Sequence, residues 1–288
     1  MEPRYSYVPI ISRPRLTWPE GARIAFYVGL NIESFDLERP EPRDPTGHRP
    51  DMRLHVIREY GSRVGVFRIM ETLDRHGIRA SVLLNAEVCL RQPQIIEEGL
   101  KREWEWLGHG MTNQRYMHSY HETEERAVIH EVRQTIADAT GVVPKGWLGP
   151  GLAESFRTPD HLAAEGFEYV CDWGCDDQPF PLRVDSGRML AMPYQQGLND
   201  IPLLSNFLLG GEQYFQTLCD QFDVLYAESE SGGKVMALPL HPFYAGLPFY
   251  AKQLDRALGY ICAHEGVWVT TSGEIADWYY RHHSQGAG

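Results

Sequence analysis

Apolar residues fall along this chain in short unbroken runs that alternate with stretches of helical periodicity. Residues 23–30 are apolar at nearly every position, which predicts a first strand covered on both faces. Val64, Val66, Phe67, Ile69, Met70 and Leu73 make an apolar stripe at helical spacing, so a helix is expected from near Gly61 to a glycine cap at His76 and Gly77. Residues 80–84 predict a second strand, 93–100 a short helix, and 104–107 a third strand that stops at Gly108. A charged helix over 122–139 follows, then a strand over 142–147 interrupted by glycine and proline. Further on, 159–165 reads as helix, 169–172 and 189–192 as strands, 213–228 as helix, and 234–240 as a late strand running into His241 and Pro242. Helical stretches over 248–264 and 272–283 flank a short apolar run at 267–269.

Between these elements, the residues from 37 to about 56 are rich in proline, arginine and aspartate, lack an apolar period, and read as a loop. Residues 194–211 read as a long irregular insertion. Strand and helix alternate almost throughout, which predicts an α/β fold with a parallel sheet and right-handed crossovers. No repeat or low-complexity linker divides the chain. The expectation is therefore one barrel-like domain over residues 21–288, preceded by an extended arm over 1–20 that carries four prolines and lies on the body or on a neighbouring subunit.

Composition narrows the function classes. With 43% hydrophobic and 11% aromatic residues in 288, the chain can bury a full core, and no run of eighteen apolar residues suggests a membrane span. A net charge of −12 without clustered lysine and arginine speaks against nucleic acid as a partner. The amino terminus lacks a basic start followed by an apolar core, so a cytoplasmic location is expected. The five cysteines, Cys89, Cys171, Cys175, Cys219 and Cys262, form no CxxC pair and read as reduced thiols. Phosphate-cradling glycine loops are absent, so a nucleotide cofactor has no support. The adjacent His282 and His283 read as part of a frayed terminus.

Candidate chemistry collects where strands end. Glu33 follows the first strand, His109 sits between Gly108 and Gly110 after the third with Asn113 four residues on, Trp147 closes the fourth, and His241 follows the late strand. In a barrel of alternating strands and helices the carboxyl ends of the strands carry the chemistry, so Glu33, His109 and His241 are the catalytic candidates. Two schemes stay open. His109 or His241 acts as general base on a water that Glu33 orients, or a divalent cation such as Zn²⁺ is held weakly by Glu33, His109 and Asn113. Asn113, Trp147, Trp173, Asp176 and Asp177 are the substrate-binding candidates. The two tryptophans would give flat walls for a small planar ligand, and an inward carboxylate would hold an amide or imide N–H. The competing reading of Asp176 and Asp177, followed by Gln178 and Pro179, is a simple Asx turn.

These motifs, taken in order, resemble the polysaccharide deacetylase (NodB-like) superfamily. Its amide-hydrolysing branch, which includes cofactor-free allantoinases and cyclic imide hydrolases, is the more similar part. The resemblance rests on Asn31, Ile32 and Glu33; Gly108, His109 and Gly110; Asp176 to Pro179; Leu240, His241 and Pro242 with Leu247 and Pro248; the stretch from Glu59 to Gly65; and the closing run from Trp268 to Trp278. It implies a distorted barrel of about seven strands with the site at the strand carboxyl ends, and an oligomer, often a homotetramer. It also implies that an acid and two histidines hold a metal where one is used; those positions are Glu33, His109 and Asn113 here. The superfamily's paired acids become Ile32 and Glu33, and its arginine-proline motif after the fourth strand becomes Trp147 to Pro150 without the arginine. The implied activity is hydrolysis of a non-peptide C–N bond in a small linear or cyclic amide, imide or ureide. The alternatives are a metal-dependent carbohydrate deacetylase and a catalytically inactive ligand-binding barrel.

Overall fold

The computed structural model describes residues 4–39 and 50–283. Its centre is β1 (Ile24–Ile32), nine residues that are all buried, as the unbroken apolar run requires. The helix expected from near Gly61 is present as α2 (Val66–Arg75), but it is preceded by a helix that the residue pattern did not announce, α1 (Met52–Tyr60), which passes through a π-turn at Gly61–Gly65 directly into it. The expected loop over 37 to about 56 therefore ends by Met52, and its residues 40–49 lie outside the described residues. Asp51 starts α1 by accepting the Leu54 N–H at 3.0 Å. No residue of α1 is buried, so it has no apolar stripe to betray it.

The chain continues through β2 (Ala80–Leu84), α3 (Ala86–Arg91), α4 (Pro93–Lys101), β3 (Glu105–Gly108), α5 (Glu122–Thr140) and β4 (Gly146–Trp147). Next come α6 (Thr158–Ala164), β5 (Tyr169–Val170), β6 (Phe180–Leu182), β7 (Met189–Ala191) and α7 (Gly211–Glu228). The last elements are β8 (Lys234–Leu240), α8 (Pro248–Cys262), β9 (Val267–Val269) and α9 (Ser272–His282). The carboxyl-terminal helix is ordered to its end, with the His282 ring stacked on Trp278 at 3.8 Å rather than frayed.

The described strands form one curled sheet in the order β6-β7-β5-β4-β3-β2-β1-β8, with β9 also on β1. All pairings are parallel except β6 with β7, which the strand-helix alternation did not foretell. β1 has β8 along one edge. Its other edge is shared, β9 pairing with Ile24 to Phe26 and β2 with Val28 to Ile32. The fold is thus a distorted (β/α) half-barrel whose seam lies at the free edge of β8. One side chain and one backbone carbonyl bridge that seam: Gln195 Nε2 donates to Val235 O at 2.8 Å, the Ala237 N–H donates to Gln195 Oε1 at 2.5 Å, and the Val235 N–H donates to the Asp177 backbone carbonyl at 2.8 Å. The Gln195 carboxamide thereby supplies the donor and acceptor that a missing strand would have offered.

The amino-terminal segment lies on the body. Arg4 grips Asp160 at 3.0 and 2.6 Å, Arg13 grips Asp176 at 2.7 and 2.5 Å, and Leu16 and Trp18 are buried beside β8. Helices cover both faces of the strands, and none of the described helices is long and apolar enough to cross a membrane. All five cysteines are free.

Candidate active site

Sheet order brings three side chains to one point. Glu33 is the residue after β1, His241 the residue after the adjacent β8, and His109 the residue after β3, two strands away on the other side. Glu33 Oε1 lies 3.5 Å from His109 Nε2 and 3.6 Å from His241 Nε2, and all three side chains are no more than 4% exposed. Asn113 Nδ2 donates to the same Oε1 at 2.7 Å. The turn after β3 makes this possible: Gly110 takes φ +68°, and a Cβ there would meet Pro150 Cγ at 2.6 Å.

Two polar residues absent from the sequence-based candidates hold the cluster. Asn85, fully buried after β2, accepts the Ser34 N–H at 2.9 Å and donates to the His109 carbonyl, so it ties the end of β1 to the end of β3. Asp200, also fully buried, sits 2.6 Å from His241 Nδ1 and accepts the His241 backbone N–H at 2.7 Å. Asn85 carried a legible signal, a polar residue ending an apolar strand. Asp200 carried none, because it lies in the aperiodic insertion ahead of a π-turn at Ile201–Asn206.

The two imidazoles are held differently. Burial alone would push His241 towards its neutral form, yet Asp200 and then Glu33 override it and raise its pKa to about 10, so His241 is an imidazolium at neutral pH. Burial would likewise raise Glu33, and His241 foremost, with His109, outweighs it and holds the carboxyl well below the usual carboxylate range. His109 is oriented differently. Its Nδ1 lies 2.7 Å from Leu148 O, an acceptor, so Nδ1 carries a proton and Nε2 is the nitrogen turned towards Glu33. Glu33 Oε2, His109 Nε2 and Asn113 Oδ1 are all buried without a hydrogen-bond partner among the described residues.

A second pair of carboxyls stands nearby. Asp172 accepts the Gly149 N–H through both oxygens at 3.0 and 2.8 Å, and burial raises its pKa to about 6. Glu154, raised by burial and then by Asp172, accepts the Trp173 Nε1 hydrogen at 2.9 Å.

The remaining candidates lie elsewhere. Trp147 does not wall the site: it is 0% exposed, packed edge-on against Phe167 at 5.4 Å, because the β4 side chain points into the helix layer. Asp176 caps the Gln178 N–H at 2.9 Å and is gripped by Arg13, which is the Asx turn and not a ligand for an imide. Asp177 contributes its carbonyl to the seam, and Gln178 Nε2 donates to Gly233 O at 2.8 Å. Trp173 is half-buried against Tyr5 and Glu154. As for a metal, Asn113 turns its amide N–H, which cannot coordinate, onto Glu33. Among the described residues no group of three His, Cys, Asp or Glu side chains could hold an ion. The set Glu33, His109 and Asn113 does not fit a zinc centre.

Residues 54–170 match the family model of polysaccharide deacetylase. The whole fold superimposes on a probable polysaccharide deacetylase of Pseudomonas aeruginosa PAO1 with a TM-score of 0.85, at 28% identity over 94% of this chain and 96% of that one. Residues 54–170 thus carry a polysaccharide deacetylase domain, and the fold around them is of the NodB-like kind. Among other similar structures, PuuE allantoinase superimposes with a TM-score of 0.84 at 28% identity, covering 94% of this chain and 95% of that one. A Schizosaccharomyces pombe protein that carries a polysaccharide deacetylase name is 24% identical over 285 residues, 91% of this chain and 87% of its own length. As a NodB-like protein the chain is a hydrolase of carbon–nitrogen bonds other than peptide bonds.

Proposed function

We propose that this hydrolase opens a C–N bond in a small linear or cyclic amide, imide or ureide. The observation that carries the reading is the position of Glu33 between two imidazoles held differently, His241 on the Asp200 carboxylate and His109 on the Leu148 carbonyl. Glu33 Oε2 and His109 Nε2 are two buried acceptors without donors, and a single water offers one hydrogen to each. His109 removes a proton from that water as its oxygen attacks the substrate carbonyl carbon. The carbonyl π electrons move onto oxygen, and the His241 imidazolium stabilises the resulting oxyanion. Collapse breaks the C–N bond, and His109 returns its proton to the leaving nitrogen. Asn113 Oδ1, the third unpartnered acceptor, suits an N–H of the substrate. Likeness to PuuE allantoinase supports a ureide or imide ring. A panel of dihydrouracil, succinimide, allantoin and linear amides, assayed with and without added Zn²⁺ or Mn²⁺, tests the reading. Ring opening that survives a chelator and is abolished in His109→Ala is the expected result.

A second reading, a metal-dependent carbohydrate deacetylase, draws on the names of the relatives. It predicts stoichiometric zinc in the purified protein and release of acetate from N-acetylated oligosaccharides, with activity lost to chelator.

A further inference from the structure

Asp172, Leu148 and His109 stand in a row past the carboxyl ends of three neighbouring strands, β5, β4 and β3. The ladder fixes their order: the Leu148 N–H donates to Gly108 O at 3.0 Å, and the Cys171 N–H to Trp147 O at 2.8 Å. One peptide then joins the row. Its carbonyl, that of Leu148, lies 2.7 Å from His109 Nδ1, and its N–H, that of Gly149, donates to both Asp172 oxygens at 3.0 and 2.8 Å. A peptide points its C=O and its N–H in opposite directions, so the carboxylate and the imidazole sit on either side of one conjugated amide.

Gly149 marks how close the carboxylate comes. Its φ of −68° and ψ of 141° are open to any residue, so the backbone does not call for glycine here. Space does: a Cβ would lie 2.8 Å from Asp172 Oδ1. The other titratable groups facing Asp172 leave its charge in place. Burial and then Asp172 itself raise Glu154, so the charge of that pair settles on Asp172, and burial keeps the Cys171 thiol neutral. A carboxylate on the N–H draws the amide electrons towards the carbonyl oxygen and strengthens the hydrogen bond that oxygen accepts. Leu148 and His109 are both buried, so water does not dilute the effect.

We propose that Asp172 is a positioning residue for the hydrolysis, acting on His109 through the Leu148–Gly149 peptide. The inference rests on the proposed role of His109 as base and names what stands behind it. Each imidazole of the site then has a carboxylate behind Nδ1, Asp200 on His241 directly and Asp172 on His109 across one amide. When His109 Nε2 takes the proton of the attacking water, the positive charge spreads to Nδ1 and the polarised carbonyl meets it.

Asp172→Asn keeps an oxygen for the Gly149 N–H and removes the charge. With whichever of dihydrouracil, succinimide or allantoin the wild type opens, kcat at pH 7.5 should fall about 10-fold while KM changes little. The acid limb of kcat/KM should move to lower pH, because the ring loses the charge that helps it hold a proton. Gly149→Ala presses the carboxylate off the N–H with its charge intact; it should move the limb the same way, and it answers alone if the first variant fails to fold. A fall in kcat with pH profiles that overlay the wild type would leave Asp172 a structural role only and overturn the proposal, as would unchanged kinetics. Should the wild type open none of the three rings, the hydrolase reading fails and the imidazole N–H resonance decides. The His109 Nδ1–H signal, assigned by its loss in His109→Gln, should move upfield in Asp172→Asn if the peptide carries the pull of the carboxylate; an unmoved signal overturns the coupling.

Discussion

Asp200 Oδ1 lies 2.6 Å from His241 Nδ1, and Asp200 Oδ2 accepts the backbone N–H groups of His241 at 2.7 Å and Ala245 at 3.3 Å. One fully buried carboxylate thus fixes both the charge and the position of the imidazole. His241 has its folded pKa raised to about 10, above the value of an unfolded histidine near 6.5. Its contribution to stability is therefore complete below about pH 6.5 and is lost as pH rises through about 10. The same limb should bound activity, since the oxyanion needs the cation. In Asp200→Asn the alkaline limb of kcat should move to lower pH and kcat at pH 7.5 should fall by about 10²–10³-fold. A variant whose pH profile overlays the wild type would remove His241 from the mechanism.

Asn113 stands one helical turn's worth of residues after His109 and points its amide at Glu33. Replacing that amide by an imidazole supplies a third good ligand beside a carboxylate and a histidine. Asn113→His should therefore bind Zn²⁺ at least about 10-fold more tightly than the wild type, measured by equilibrium dialysis at pH 7.5. Equal zinc binding by the two proteins would show that position 113 does not face a metal position at all.

Glu33, His109 and His241 were legible because each ends an apolar run with a polar group, and β1, β3 and β8 are buried on both faces, which makes the runs continuous. The same signal misplaced Trp147. It ends β4, but that strand is two residues long and its side-chain phase turns the indole away from the site into the helix layer, against Phe167. Asp200 and α1 were illegible for the opposite reason. Asp200 reaches His241 across 41 residues from a segment without periodicity, and α1 buries no side chain, so neither leaves a pattern for tertiary structure to be read from. The seam was hidden too, because Gln195 replaces backbone with side chain.

Gly65 closes the π-turn between α1 and α2 against the loop that carries His241. A Cβ at Gly65 would lie 2.1 Å from Pro242 O, and one at Gly246 would lie 2.5 Å from Gly65 Cα. The contact is backbone on backbone, so it cannot relax by a rotamer change. Gly65→Ala should cost about 1–3 kcal/mol of stability and also lower kcat, since the displaced carbonyl is that of the residue following His241. Gly77→Ala is the control: its φ is +63° with open space around a Cβ, so it should lose stability through backbone strain alone and keep its kcat. Equal kcat in both variants would free the π-turn from any part in positioning His241.

Gln195 tests whether the half-barrel depends on its seam. Its carboxamide bonds Val235 O and the Ala237 N–H on the outer edge of β8, five and three residues short of Leu240, after which His241 enters the site. Removing the side chain leaves one buried carbonyl and one buried N–H without partners, each worth about 1–3 kcal/mol. Gln195→Ala should lower Tm accordingly, and hydrogen exchange at Ala237 should quicken, because that amide loses its acceptor while the opposite edge of β8 stays paired to β1. Gln195→Glu keeps an acceptor for Ala237 and loses the donor to Val235, so the Ala237 amide should regain its protection while part of the stability loss remains. Protection at Ala237 that is the same in all three proteins would mean that the edge of β8 is closed by something other than this carboxamide.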